Sequence, residues 1–196
     1  MKKIIVGITG ASGSIYFLRL MENLIKENMS IYVVASEQGK NVLKYETGVE
    51  LETQIEVWKK TNNEIYLEDN DNLFSPIASG SFGCDKMIIV PCSMSTLAEI
   101  ACGVTKTLLI RSADVMIKER KKLVLVPRET PLSSIHLENM LKLSNIGVTI
   151  LQATPGFYNF PKTMDDLINF VVGKALDSLE INNESYIRWE GKNEKK

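Results

Sequence analysis

Apolar and polar positions along the chain fall into two alternating patterns. Compact apolar runs stand at 3–8, 31–35, 86–90, 123–126 and 148–151. Between them, apolar residues return at three- and four-residue spacing: Leu18, Met21, Leu24 and Ile25, then Leu97, Ile100 and Ala101. The same period recurs over 108–121, through Leu137, Met140 and Leu141, and over 164–179. Short runs of the first kind read as buried strands, and the second kind as amphipathic helices. Their alternation predicts an α/β domain with a doubly wound parallel sheet, helices covering both faces. Local signals place the helix ends. Ser36 is a cap for the helix after the second strand, and Gly103 stops the one through Leu97. Lys118, Arg120, Lys121 and Lys122 suit a helix C-terminus, where cations meet the negative end of the dipole. Thr130 as cap, with Pro131 at the first helical position, marks the start of the helix through Leu137. Only 47–74 resists the pattern. It is polar and weakly periodic, and reads as irregular connection with short helical pieces.

In such a sheet, ligands bind beyond the carboxyl ends of the strands. The segments at those ends are 9–13, Ser36-Glu37, 93–96, Arg128-Glu129 and 154–158, rich in Gly, Ser, Thr and charge. The convergence of these loops points to a small-molecule ligand. Composition narrows the choice further. The 196 residues are 44% hydrophobic and 24% charged, which excludes disordered and low-complexity classes. Lys+Arg 23 against Asp+Glu 24 leaves a net charge of -1, so nothing favours nucleic acid or an anionic membrane. No apolar run reaches the roughly 18 residues of a membrane span, and the start of the chain leads straight into a strand without a signal peptide. Three cysteines without a CxxC spacing fit a reduced, cytoplasmic protein. A single histidine, His136, rules out zinc sites built on several histidines.

Several motifs carry chemistry. Gly7, Gly10 and Gly13 depart from the GxGxxG spacing, yet they let a backbone approach a ligand at a helix N-terminus. Ser93, Ser95 and Thr96 open a helix. Thr96 can serve as its cap, and the remaining hydroxyls make a phosphate cradle. Cys92 has no histidine nearby in sequence to activate it. Tyr158 and Lys162 match YxxxK of short-chain dehydrogenases, but Pro161 between them would break the helix that chemistry needs. A nicotinamide-dependent oxidoreductase stays as an alternative. Arg111 and Lys118 are two helical turns apart and read first as a solvated basic stripe. Arg128-Glu129 sits in the expected crevice. His136 reads as a packed or half-exposed residue.

Together these segments resemble the UbiX-type flavin prenyltransferases. The matching pieces are Gly-Ile-Thr-Gly-Ala-Ser-Gly (7–13), Ile-Ala-Ser-Gly-Ser-Phe (77–82) and Pro-Cys-Ser-Met-Ser-Thr-Leu (91–97). Further on come Arg-Ser-Ala-Asp-Val (111–115), the long block 118–132 with Val-Pro-Arg-Glu-Thr-Pro-Leu, Ile-His-Leu-Glu-Asn-Met (135–140), Pro-Gly-Phe-Tyr (155–158) and Arg188-Trp189. The resemblance spans nearly the whole chain and implies a flavodoxin or Rossmann-like three-layer αβα fold. It also implies binding of FMN, whose reduced form accepts a dimethylallyl group at N5 and C6. Carried onto this chain, the FMN contacts are Gly10, Ala11, Ser12, Ser36, Ser93, Met94, Ser95, Thr96, Arg111 and Arg128. The donor, dimethylallyl phosphate, falls to Lys118, Glu129, Tyr158, Lys174 and Trp189. Ser12 with Glu46, and Lys118 with Glu129, would be the catalytic groups. The chain carries no aspartate-rich metal motif, and Lys and Arg can neutralise a phosphate without a metal. The resemblance further implies a homododecamer and a product used by a UbiD-type decarboxylase. A bound, non-catalytic subunit of an aromatic-acid decarboxylase is the other alternative. A single domain over 1–181 is expected, with 182–196 as a tail docking on a neighbouring subunit. Three departures stand out: Phe17 where many relatives have Gly, Gly156 for the commoner Ala, and Lys174 for Arg. The first predicts altered packing of the first helix. The second predicts a looser turn, and the third loses the bidentate fork.

Overall fold

A computed structural model describes residues 2–62, 64–189 and 191. The predicted strands all form, and a sixth joins them. In chain order they are β1 (Lys2–Ile8), β2 (Met29–Ala35), β3 (Ile65–Glu68), β4 (Lys86–Cys92), β5 (Lys122–Pro127) and β6 (Thr149–Ile150). Every pairing is parallel, in the order β3-β2-β1-β4-β5-β6. The helices are α1 (Ser14–Leu24), α2 (Glu37–Thr47), α3 (Leu51–Lys59), α4 (Met94–Cys102), α5 (Leu108–Lys118), α6 (Ser134–Asn145) and α7 (Met164–Ser178). This is the expected doubly wound αβα arrangement. No described helix is long and apolar enough to cross a membrane.

Alternation along β1 explains the layers. Ile4, Val6 and Ile8 face a core shared with α1, α3 and α7, whereas Ile5 faces one shared with α4 and α5. Phe17, the departure in the first helix, is fully buried there and packs edge-on against Trp58 of α3, ring centroids 5.9 Å apart. That contact recruits α3. Arg19 ties α1 to α7 through Asn169 and Asp165 at 2.9 and 3.0 Å.

Three local expectations are corrected. The segment 47–74 holds a short helical piece as expected, α3, but also the edge strand β3, which the pattern did not show. Thr130 and Pro131 do not start a helix. They form a turn after β5, and α6 begins at Ser134, where Ser133 accepts the His136 N–H at 3.3 Å. His136 returns the bond, its Nδ1 accepting the Ser133 N–H at 3.2 Å, so the histidine is half of a capping box. Finally, Ser93 rather than Thr96 caps α4, accepting the Thr96 N–H at 3.3 Å.

Candidate functional site

The strand order reverses between β1 and β4, the place where such sheets hold a ligand in the crevice beyond their carboxyl ends. Four loops meet there. After β1 the chain turns through Gly10, Ala11 and Ser12 into Gly13, whose φ of 110° needs glycine as it enters α1. After β2, Ser36 caps α2 by accepting the Gly39 N–H at 3.0 Å, and its own N–H reaches Ile8 O at 3.0 Å. After β4, Ser93 Oγ lies 3.1 Å from Ser95 Oγ and 3.0 Å from Thr96 Oγ1. The hydroxyls form one patch at the N-terminus of α4, where Met94 is buried in the core on the α4 side. After β5, Arg128 Nε donates to Ser12 O at 3.2 Å, closing the crevice from the far side.

The α1 N-terminus is occupied from above by Glu46, in the last turn of α2. Its carboxylate accepts the Gly13 N–H at 3.0 Å and the Ser14 N–H at 2.8 Å. Partial desolvation pushes this carboxyl up, but hydrogen bonds from Ser12, Ser14 and Gly13 outweigh it and hold the pKa below the usual value. Ser12 and Glu46 are therefore brought together, as the resemblance implies. Glu129 sits beside Arg128, its carboxylate accepting the Thr130 N–H at 3.0 Å. Cys92 is fully buried, which drives its thiol far up and removes it as a nucleophile.

A second locus lies where α7 meets the loop before it and the tail. Tyr158 stacks edge-on with Phe170 and with Trp189, ring centroids 5.8 Å apart in each case, and Phe170 meets Tyr186 at 5.3 Å. The Gly156 turn is tight rather than loose, because an added Cβ would lie 2.9 Å from the Tyr158 ring and 3.0 Å from Phe170. A groove of about 580 Å³ runs beside these rings, lined by Phe160, Phe170 and Tyr186 among others. Lys174 stands one turn after Phe170 on α7, exposed. A larger cleft of about 740 Å³ opens at the opposite end of the sheet, where β1, β2 and β4 begin, and its Lys86 ammonium is already taken by the Leu179 and Glu180 carbonyls.

Comparison with known proteins decides the family. A Flavoprotein family model matches residues 1–176. The flavin prenyltransferase UbiX of Halalkalibacterium halodurans is 52% identical over 94% of this chain and 91% of its own. The chain belongs to the UbiX family of flavin prenyltransferases. Among solved structures, AnUbiX (PadA1) in complex with FMN and dimethylallyl pyrophosphate superposes with a TM-score of 0.90 at 38% identity, covering 98% of this chain and 99% of that one. A dodecameric FMN-dependent UbiX-like decarboxylase from Escherichia coli O157:H7 gives 0.89 at 40% identity, over 96% and 100%.

Within this UbiX-family chain, Gly10, Ala11, Ser12, Ser36, Glu46, Ser93, Ser95, Thr96, Arg128 and Glu129 gather around one crevice, while Tyr158 and Trp189 share the second locus with Lys174 beside it. Arg111 and Lys118 join neither. Arg111 Nε donates to Ala78 O at 3.2 Å, and the guanidinium also reaches Asp114 at 3.0 Å. Lys118 pairs with Glu119 at 2.8 Å, just before β5 begins. It therefore lies at the strand-start edge, roughly 20 Å from the crevice by strand length. Because α5 and α7 pack into different cores, the sheet separates Lys118 from Lys174. Tyr158 and Lys162 both precede α7, so no helix carries them together and the dehydrogenase arrangement is absent. The described part of the tail, up to 189 and at 191, is tied to its own chain, and 190 and 192–196 lie outside the described residues. Tyr186 and Arg188 both bind Asp177 of the same chain, at 2.7 Å each, leaving Ile187 and Trp189 exposed.

The residue that sequence reasoning passed over is Thr9. It is 1% exposed, and its Oγ1 donates to Pro91 O at 2.9 Å and accepts the Ser93 N–H at 2.7 Å. Its only signal in the sequence was its place directly after a strand.

Proposed function

We propose that this chain is a flavin prenyltransferase, moving a dimethylallyl group from dimethylallyl phosphate to N5 and C6 of reduced FMN. The observation that carries the reading is the crevice itself. A hydroxyl patch at a helix N-terminus, an arginine and a serine–carboxylate pair converge at the reversal point of the sheet. That donor set fits FMN: the hydroxyls and N–H groups at α4, with Arg128, suit a phosphate, and the glycine turn lets a flat ring approach backbone. Reduced FMN, when bound, supplies the nucleophilic positions that receive the prenyl group.

The chain's own residues do the rest. Lys174, beside Tyr158, holds the departing phosphate and lowers the cost of charge separation at the allylic carbon. Tyr158, Phe170 and Trp189 form an aromatic wall that keeps water from an allylic cation. Ser12, bonded to an ionised Glu46, has an acceptor for its proton and can pass one near the ring. Glu129 does the same near the phosphate. Lys118 reaches the donor only from a neighbouring copy, and we propose a homododecamer that supplies it. Light scattering at micromolar protein should give a mass far above the monomer, and a monomeric mass defeats that assembly. The product is passed to a UbiD-type decarboxylase, and the protein works in the cytoplasm.

The deciding experiment incubates the protein with FMN, dithionite and dimethylallyl phosphate, then examines the released flavin by mass spectrometry. A flavin heavier by one dimethylallyl unit is expected, with turnover unchanged in a chelator. Unmodified FMN overturns the reading, and rescue by Mg²⁺ after chelation overturns metal independence.

A further inference from the structure

The two turns that line the crevice come from opposite sides of the sheet's reversal point, after β1 and after β4. Backbone pairing ends before either turn is complete: β1 pairs with β4 only from Ile4 to Gly7, against Lys86 to Ile89. Beyond that register the ladder stops, and among the described residues one further backbone bond, from the Thr9 N–H to Pro91 O, joins the strand ends. The β4–β5 register also shifts between Ile89 and Cys92, so β4 is irregular just where it delivers the serine turn.

Thr9 spans this gap. Its backbone N–H and its hydroxyl both donate to Pro91 O, at 3.2 and 2.9 Å. The same hydroxyl accepts the Ser93 N–H at 2.7 Å. One side chain therefore fixes residues on both sides of Cys92 and sets where Ser93 begins α4. The Ser93 N–H is spent on Thr9 rather than on a ligand, and the Ser93 hydroxyl bonds within the turn to Ser95 and Thr96, of which Ser95 is exposed and Thr96 buried. The burial of Thr9 excludes water as a substitute partner.

We infer that Thr9 is a positioning residue for FMN, holding the serine turn of α4 at the right distance from the glycine turn of α1. The inference rests on the FMN reading above, and it adds a residue that touches no ligand. A threonine is suited to the task because the methyl group fills the buried space while the hydroxyl both donates and accepts. Valine keeps the shape and removes both side-chain bonds.

The test is FMN affinity by flavin fluorescence in Thr9→Val and Thr9→Ser, beside the wild type. Thr9→Val should weaken FMN binding roughly tenfold, the scale of one buried N–H left unpaired. Thr9→Ser should recover most of that loss, and KM for the prenyl donor should stay near its wild-type value in both. Equal FMN affinity in Thr9→Val and the wild type overturns the inference, even if Thr9→Val unfolds at lower temperature. A wild type that itself binds no FMN defeats the functional reading instead. Should Thr9→Val fail to fold, amide exchange in the wild type decides. Exchange at Ser93 should slow on adding FMN, and an unchanged rate overturns the proposal.

Discussion

The crevice at the β1/β4 reversal and the aromatic locus at α7 are built by different physics. In the crevice, polar groups are already bonded to one another and to backbone: Thr9 to Ser93, Glu46 to the α1 N-terminus, Arg128 to Ser12. At the aromatic locus, ring packing holds the shape together with the bonds from Tyr186 and Arg188 to Asp177. Tyr158 and Trp189 remain 46% and 62% exposed there, and Lys174 is also exposed. The difference suits the two tasks proposed above. A cofactor that stays bound gains from donors fixed in advance, since little ordering entropy remains to be lost on binding. A donor that must enter, react and leave gains from an open wall and mobile cations.

The largest expected effect separates the two regions. Arg128→Ala should weaken FMN binding by about ten- to hundredfold, since it removes a charge-assisted bond of roughly 1.5–3 kcal/mol. An FMN titration checks it, and an unchanged dissociation constant would place Arg128 outside the cofactor site. The mirror experiment is Lys174→Ala. It should lower kcat/KM for dimethylallyl phosphate by about tenfold or somewhat more, with FMN affinity nearly intact. Lys174→Arg should be milder, because the charge stays. Unchanged turnover in the alanine variant would return Lys174 to an ordinary solvated lysine.

Asp177→Asn should have a smaller effect. Partial desolvation raises this carboxyl, but bonds from Arg188 and Tyr186 outweigh it and hold its pKa down. Losing the exposed ion pair costs about 1 kcal/mol or less. The tail should loosen, raising KM for the donor roughly threefold while FMN affinity holds. Amide exchange over 183–189 reads the loosening directly, and no change there would mean that ring packing alone anchors the tail.

The smallest effect is a pH dependence in the crevice. The folded pKa of Glu46 is lowered, so its contribution to stability is complete above the ordinary carboxylate pKa. It is lost as pH falls through the lowered value. Glu46→Gln should therefore flatten the acid side of the stability profile, read as Tm against pH below about 5. At neutral pH it should cost about 1 kcal/mol or less, the scale of a charge near a helix N-terminus. An identical acid limb in both proteins would show that Glu46 is not held ionised by the α1 turn.

Most of the architecture was legible because its signals are local. Five apolar runs and the helical periods between them marked the layers, and the turn chemistry of 9–13 and 93–96 marked the end of the sheet that binds. The edge strand β3 was hidden for a physical reason. It is four residues long with only Ile65 buried, so it shows no apolar run. The helix start at Thr130 was misread because Thr-Pro followed by a helical period fits a turn as well as a cap. The true cap, Ser133, lies three residues on, and its partner is a histidine in place of the usual Glu or Gln.

The sequence by itself determined the fold class and which loops lie at the carboxyl ends of the strands. These depend on periodicity and on residues that directly follow strands. Only the tertiary structure decided which side chains meet across the sheet. It joined Thr9 to Ser93, 84 positions apart, tied the tail to Asp177, and put Lys118 and Lys174 on opposite faces. Such pairings depend on strand order and on which core each helix enters, and no local pattern of residues encodes either.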